Sequence, residues 1–212
     1  MTPDKLKLYA FPTAEGMINM SPFCCKVDVL LKIAGLSHET VVPEDHTVFP
    51  KAKLPVLDDD GHIVEDSEII RLYLEEKYNA PLSGSLSAEQ KAIGHTVCRM
   101  IEDRTRYGLI YSRWHEDAGW DQTRAIFFAG APEEVANAVR EQVRLTLHLE
   151  GFGRHSNDEI KTFIRSDLSA LSCLLADKNW FFGDEPTYID AAVFGLLANF
   201  YTSPVKTWTA DM

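Results

Sequence analysis

The chain has 212 residues, 45% hydrophobic and 25% charged, so it can form one large domain or two small ones. Its 32 acidic and 21 basic residues give a formal net charge of -11, which argues against nucleic acid and anionic membranes as partners. The charged start of the chain predicts no secretory signal, and no uncharged apolar stretch approaches the length of a membrane span. These features predict a cytoplasmic protein.

The cysteines have no spacing typical of a zinc site, so we expect no metal. Because no secretory signal is predicted, reduced thiols are the expectation. The four cysteines are Cys24, Cys25, Cys98 and Cys173.

The first 79 residues alternate short strand-like runs with helical patterns. Ser21 and Pro22 form the strongest helix-start signal, with serine as N-cap and proline at the first helical position, and Gly35 stands where a C-cap glycine belongs. A strand–helix–strand unit followed by a hairpin and a covering helix predicts a thioredoxin-like half. The predicted strands are 6–11, 38–42, 54–57 and 62–64, and the predicted helices are 22–34 and 67–78.

Residues 80–85 have the proline, glycine and serine content of a linker, which predicts domains at 1–79 and 86–212. The second domain has only helical patterns. A long helix begins at the capping box of Ser87 and Gln90 and continues toward Tyr111. Further helices are predicted at 132–150, from the capping box Ser156/Glu159 to Leu174, and from the capping pair Thr187/Asp190 to Ala198.

Several segments resemble the glutathione transferase superfamily. Residues 53–57 and 65–70 resemble its glutathione-binding half, and 183–190 resemble the capping motif of its buried C-terminal helix. Residues 21–24 are similar to the glutaredoxin active-site tetrad, with serine in place of the nucleophilic cysteine. The runs 11–12, 151–155 and 167–171 resemble the failed-axon-connections and metaxin-related branch. The resemblance, over roughly residues 5–200, implies an α+β fold: a thioredoxin-like N-terminal domain and an all-α glutathione-transferase C-terminal domain.

This resemblance implies a glutathione transferase that uses glutathione as co-substrate against small electrophiles, in detoxification, as a homodimer. Two alternatives remain: a non-catalytic binding or scaffold protein with the same fold, and a glutathione-dependent thiol reductase or peroxidase acting through Cys24 or Cys25. Only 22 residues follow Asp190, whereas relatives usually continue with further helices over the cleft. The acceptor pocket is therefore expected to be more open, or completed by a partner chain.

Ser21 is the candidate catalytic residue implied by the resemblance. Thiolate is the nucleophile, and a free thiol with a pKa near 8.5 is mostly protonated at neutral pH. A helix N-terminus and a serine hydroxyl could together lower that pKa by roughly one to two units. The alternative is that Ser21 only caps its helix.

The candidate glutathione-binding residues are Lys53, Leu54, Pro55, Asp66 and Ser67. In thioredoxin-like folds the proline is cis, and Leu54 would pair with the cysteinyl backbone of glutathione. Asp66 suits the γ-glutamyl ammonium, Ser67 its carboxylate, and Lys53 the glycyl carboxylate. Each also has a simpler interpretation, as a strand start, a helix cap or a solvated lysine.

The acceptor pocket is assigned to a stripe on the long helix, since three of its aromatic residues are 4 and 3 positions apart and share a face. Such a stripe is more often part of the core. Its members are Arg104, Tyr107, Tyr111 and Trp114.

Overall fold

The computed structural model describes residues 6–13 and 16–212. A four-stranded mixed sheet forms the first half, in the order β2-β1-β3-β4. Strands β1 and β2 are parallel, and β3 runs antiparallel to both β1 and β4. The predicted thioredoxin-like arrangement is confirmed. The strands are β1 (Leu6–Tyr9), β2 (His38–Val41), β3 (Val56–Asp59) and β4 (His62–Glu65), and the helices of this half are α1 (Pro22–Ile33) and α2 (Ser67–Tyr78).

The first strand is shorter than predicted, because its pairing with β2 ends at Tyr9 and Val41. One more backbone hydrogen bond, from Ala10 N to Val41 O (3.0 Å), closes this edge. Phe11 then leaves the sheet ahead of Pro12, which has no N–H to donate.

The second half is helical, as predicted. The long helix runs from residue 88 to 115 and contains two π-helical turns, Ile101–Thr105 and Tyr111–His115. Its α-helical parts are α3 (Ala88–Met100) and α4 (Arg106–Ile110). The helices that follow are α5 (Asp117–Phe127), α6 (Glu133–Leu149), α7 (Asn157–Leu175) and α8 (Tyr188–Tyr201). Short 3₁₀ turns lie at His46–Val48, Phe152–Arg154 and Trp208–Asp211.

All three predicted helix-start pairs form. Ser87 with Gln90, Ser156 with Glu159, and Thr187 with Asp190 each make reciprocal side-chain-to-backbone contacts. These pairs satisfy backbone groups that a helix start would otherwise leave without partners.

Helix α5 has no counterpart among the predicted elements. It has no side-chain cap at Glu116, and Gly119 in its first turns lowers its helix propensity. A Cβ at Gly119 would lie 1.8 Å from Ser112 O, so the glycine is required by close packing against the preceding π-helical turn. This requirement comes from tertiary contact and has no local signal.

The two halves pack through α1 and α8. A Cβ at Gly195 would lie 2.5 Å from Pro22 O, so α8 lies directly against the first turn of α1. The hydrophobic core continues across this contact, from Leu30 and Leu31 to Leu196 and Phe200. The linker at 80–85 stays a prediction. Within residues 6–13 and 16–212, no helix is long and apolar enough to cross a membrane.

Candidate functional site

A cavity of about 320 Å³ lies between the sheet half and the long helix. Its volume is in the range typical of small-molecule sites. Two walls enclose it. The sheet-side wall consists of Phe23, Lys51, Lys53, Leu54, Pro55, Asp66, Ser67 and Glu68. The helical wall consists of Arg99, Glu102, Asp103 and Arg106.

All five predicted glutathione-binding residues line the sheet-side wall. The Leu54–Pro55 peptide bond is cis, which confirms that part of the prediction. Two residues beside the cavity have left-handed backbone conformations that non-glycine residues rarely adopt: Ala52 (φ 49°) and Asp66 (φ 85°). Such strain is often found at ligand-binding sites.

The first turn of α2 points polar groups at the cavity. Asp66 is the N-cap, and its Oδ1 accepts hydrogen bonds from the backbone N–H of Glu68 (2.8 Å) and Ile69 (3.3 Å). Ser67 is 4% exposed, and no residue in the described part of the chain hydrogen-bonds its hydroxyl. A hydroxyl on a cavity wall that makes no hydrogen bond within the described chain is available to a ligand.

Two lysines, both exposed, line the same wall as this turn. Lys51 is held to Glu65 through its backbone N–H (2.8 Å to Oε2) and its Nζ (3.0 Å to the carbonyl). Lys53 has no carboxylate within ion-pair distance among the described residues. Together they place positive charge on the sheet-side wall.

Ser21 caps α1 as predicted. Its Oγ accepts a hydrogen bond from Cys24 N (3.4 Å), and its own N–H donates to Asn19 Oδ1 (3.0 Å). Ser21 is not itself among the residues that line the cavity, whereas Phe23, two positions later, is. Ser21 as a residue is partly exposed.

The loop before Ser21 is held by the helical half. Arg113, 4% exposed, donates to Met20 O (3.3 Å) and to Asn199 O (2.8 Å), and the Asn199 amide donates to Asn19 O (3.2 Å). Burial lowers the pKa of Arg113 to about 10, so the guanidinium remains charged at neutral pH. The helical half thereby sets the position of the α1 N-terminus.

The thiols of Cys24 and Cys25, close after Ser21, are both buried. Burial raises the pKa of Cys24 to about 11, although hydrogen bonds with Phe11 and Ser21 act in the opposite direction. Burial likewise raises the pKa of Cys25 to about 11, and its thiol donates to Asn19 O (3.1 Å). All four cysteines are free, and only Cys173 is exposed.

None of the four residues assigned to the acceptor pocket is among those that line the cavity. Tyr107 packs on Phe152 with ring centroids 5.7 Å apart, and Tyr111 stacks on His115 at 4.4 Å. Trp114 contacts a group of aromatic rings that includes Trp120, and the exposed Arg104 lies over Phe163. The three aromatic residues face the interior of the helical half, and the two π-helical turns change the helix register that their spacing assumes.

The helical wall was missed by the sequence analysis. Arg99, Glu102, Asp103 and Arg106 follow the i, i+3, i+4, i+7 pattern of one helix face. A charged face of this kind usually points to solvent. Only its packing opposite α2 turns it toward a cavity.

A buried ion network joins the two walls. Lys26 of α1 is 1% exposed, and its Nζ lies 2.6 Å from Glu102 Oε1 and 3.1 Å from Glu68 Oε2. Burial alone would raise the pKa of Glu68, but Arg71 and Lys26 outweigh it and hold that pKa below its usual value. One lysine therefore connects α1, α2 and the long helix.

Comparison with known proteins identifies the class. Residues 22–119 match the family "Glutathione S-transferase N-terminal domain", and residues 164–211 match "Glutathione S-transferase, C-terminal domain". The isoprene-epoxide–glutathione S-transferase of Rhodococcus sp. (strain AD45) is 32% identical over 94% of this chain and 88% of its own length. The chain therefore belongs to the glutathione S-transferase family.

Other relatives agree with the predicted branch. Failed axon connections of Drosophila melanogaster is 29% identical over 93% of this chain and 50% of its own length. Metaxin-3 of Xenopus laevis is 24% identical over 92% of this chain and 67% of its own length. Among solved structures, a Methylobacterium radiotolerans glutathione S-transferase in complex with glutathione sulfonate has a TM-score of 0.62 and 20% identity, over 98% of this chain and 85% of that one. This last similarity shows the fold alone.

Proposed function

We propose that the protein is a glutathione transferase that binds glutathione in this cavity and uses its thiolate against small electrophiles. The observation that carries the proposal is that five residues assigned to glutathione from sequence alone line one wall of a single cavity. The 32% identical Rhodococcus relative is named as an isoprene-epoxide transferase, which supports an epoxide as one class of electrophile.

The charges of the sheet-side wall complement those of glutathione. The tripeptide has a carboxylate at each end and an ammonium at the γ-glutamyl end. Lys51 and Lys53 suit the glycyl carboxylate, and the Asp66 carboxylate suits the ammonium. The Ser67 hydroxyl and the N-terminus of α2 suit the γ-glutamyl carboxylate.

Ser21 and the start of α1 would then favour the thiolate. The N–H groups and dipole of the helix N-terminus stabilise an anion, and the serine hydroxyl adds a donor. In an epoxide opening the sulfur attacks a ring carbon, the C–O bond breaks, and the oxygen takes the electron pair and then a proton from water. Lowering the thiol pKa supplies more nucleophile at neutral pH.

Calorimetric titration with glutathione near pH 7.5 tests the proposal. We expect Ser67→Ala to weaken binding about tenfold, because it removes a hydrogen bond to a charged group. Ser37→Ala, at an exposed position outside the cavity, is the matched control. If the wild type binds no glutathione, the alternative of a non-catalytic protein with this fold replaces the proposal.

The reductase alternative has less support. A thiol with a pKa of about 11 is ionised in only about one molecule per thousand at pH 8, and both Cys24 and Cys25 are in this condition. We expect iodoacetamide at pH 8 to label Cys173 of the native protein at least about a hundredfold faster than Cys24 or Cys25. Equal labelling, read by peptide mass spectrometry, would favour the reductase.

We also propose a homodimer, paired between the two halves. Ile63, Ile69 and Leu72 expose apolar surface on β4 and α2. A second apolar surface lies on α6 at Val135, Val139, Leu145 and Leu149. Light scattering should give twice the chain mass, and Ile69→Glu should give a monomer; a monomeric wild type would contradict the dimer.

A further inference from the structure

The helical wall contains one cation without a carboxylate partner. The acids of this wall are paired: Glu102 with Lys26 and Arg99, and Asp103 with Arg99. Arg106 donates only to neutral acceptors, the Glu102 carbonyl and the Tyr107 hydroxyl (3.1 Å). No ion pair joins Arg106 to any residue in the described ranges.

The guanidinium of Arg106 is held in place before any ligand arrives. It lies over the Tyr107 ring, 4.3 Å from the centroid, and 5.7 Å from the centroid of Phe23. A planar guanidinium with its remaining N–H groups free suits bidentate pairing with a two-oxygen anion. Because rings and hydrogen bonds already orient it, little side-chain freedom remains to be lost on binding.

The position of Arg106 separates it from the charges assigned to glutathione. Lys51, Lys53 and Asp66 lie on the sheet-side wall, whereas Arg106 faces them from α4 and touches Phe23 in the first turn of α1. That turn follows Ser21, where the proposed function places the sulfur. The acceptor must approach the sulfur there, beside a cation to which the proposed glutathione site assigns no group of the tripeptide.

We propose that Arg106 selects an acceptor that carries a carboxylate, and that this group pairs with its guanidinium while the thiolate attacks a neighbouring carbon. The inference rests on the proposed function. In the reaction the C–S bond forms, the C–O bond of the epoxide breaks, and the oxygen is protonated by water. The carboxylate is unchanged, so it serves recognition only.

Binding to the glutathione-loaded protein tests this without requiring turnover. Saturating glutathione fills the sheet-side wall, and phenylpropionate and phenylpropanol then differ only in the anionic group. We expect the wild type to bind phenylpropionate at least about tenfold more tightly than phenylpropanol, because only the carboxylate can form a charge-assisted hydrogen bond with Arg106. Arg106→Gln should abolish this preference and Arg106→Lys should retain part of it.

Arg165→Gln is the control, since it removes the same charge at an exposed residue of α7 outside the cavity. It should keep the wild-type preference. Equal affinity of the wild type for the two ligands overturns the inference by itself, whatever the stability of the variants. Absence of glutathione binding overturns the proposed function instead.

Conjugation rates give a second readout. With phenylglycidate and styrene oxide as paired epoxides, Arg106→Gln should lower kcat/KM about tenfold for the anionic substrate and little for the neutral one. Equal losses for both, with a pH–rate profile moved to higher pH, would assign Arg106 to the thiolate and overturn the selection of a carboxylate.

Discussion

The two walls of the cavity are built in different ways. The sheet-side wall depends on backbone features: the cis peptide before Pro55, the left-handed residues Ala52 and Asp66, and the first turn of α2. The helical wall depends on charged side chains at one-turn intervals along an interrupted helix. A backbone-built wall suits a constant ligand, whereas the exposed and half-buried side chains of the helical wall, Arg99, Asp103 and Arg106, can change by substitution more readily than the buried Glu102. This fits glutathione on the first wall and the acceptor on the second.

Lys26 makes the two walls depend on each other. It bonds Glu68 on one side and Glu102 on the other, and all three lie at the junction of the two halves. A buried lysine between two carboxylates is costly to form, but removing it leaves the buried Glu102 with Arg99 alone and Glu68 with Arg71 alone.

We expect Lys26→Ala to have the largest effect, on the free energy of unfolding. Unfolding in urea should show a loss of about 3–5 kcal/mol, because Glu102 and the partly buried Glu68 lose their shared cation. Lys32→Ala removes a lysine whose side chain is 60% exposed, and should cost less than about 1 kcal/mol. If both cost the same, the network does not couple the walls.

Asp190→Ala should destabilise the protein without touching the site. Its carboxylate accepts from Thr187 N (2.8 Å), Thr187 Oγ1 (2.9 Å) and Phe181 N (2.9 Å), all buried. We expect a loss of about 2–3 kcal/mol in the free energy of unfolding, with unchanged glutathione affinity in the folded protein. The exposed Asp177→Ala is the control. A weakened affinity would mean that α8 contributes to the site directly.

Ser21→Asn separates capping from catalysis. Asparagine caps a helix about as well as serine but has no hydroxyl, so stability should hold while the bound thiol pKa rises by about one unit. The pH–rate profile of conjugation should move upward accordingly. Ser87→Asn makes the same change at the N-cap of α3 and should leave the profile in place. If the pH–rate profile of Ser21→Asn does not move, Ser21 only caps α1 and does not act on the thiol.

We expect Asp66→Asn to have the smallest effect, because it removes only the charge of the side chain. Asparagine can still cap α2 and tolerates the left-handed backbone, so unfolding should change little. Glutathione affinity should fall about fivefold to tenfold because the ammonium loses its carboxylate. The affinity is measured by calorimetry, and Asp60→Asn is the control, since Asp60 also has a positive φ but lies outside the cavity. Unchanged affinity would remove Asp66 from the site.

Local signals explain what could be predicted. Ser21 with Pro22, Leu54 with Pro55, and Asp66 with Ser67 are adjacent pairs whose conformations follow from their own chemistry. The same holds for the capping boxes. Four of the five predicted residues of the sheet-side wall belong to two such pairs, Leu54 with Pro55 and Asp66 with Ser67, and the resemblance supplied their ligand. Phe23, Lys51 and Glu68, which also line this wall, were not predicted.

The sequence by itself determined the α+β fold, the helix starts and the sheet-side candidates, because each depends on residues close together in the chain. Only the tertiary structure decided which face of the long helix meets the cavity. Two π-helical turns shift the register of that helix, and the close packing of α8 against α1 fixes the position of α1 beside it. The tertiary structure also decided that Lys26 is buried between two carboxylates and that Arg106 pairs with no carboxylate of residues 6–13 and 16–212. Lys26 pairs with Glu68 and Glu102, which lie 42 and 76 positions away in the chain, so no local pattern can encode this pairing.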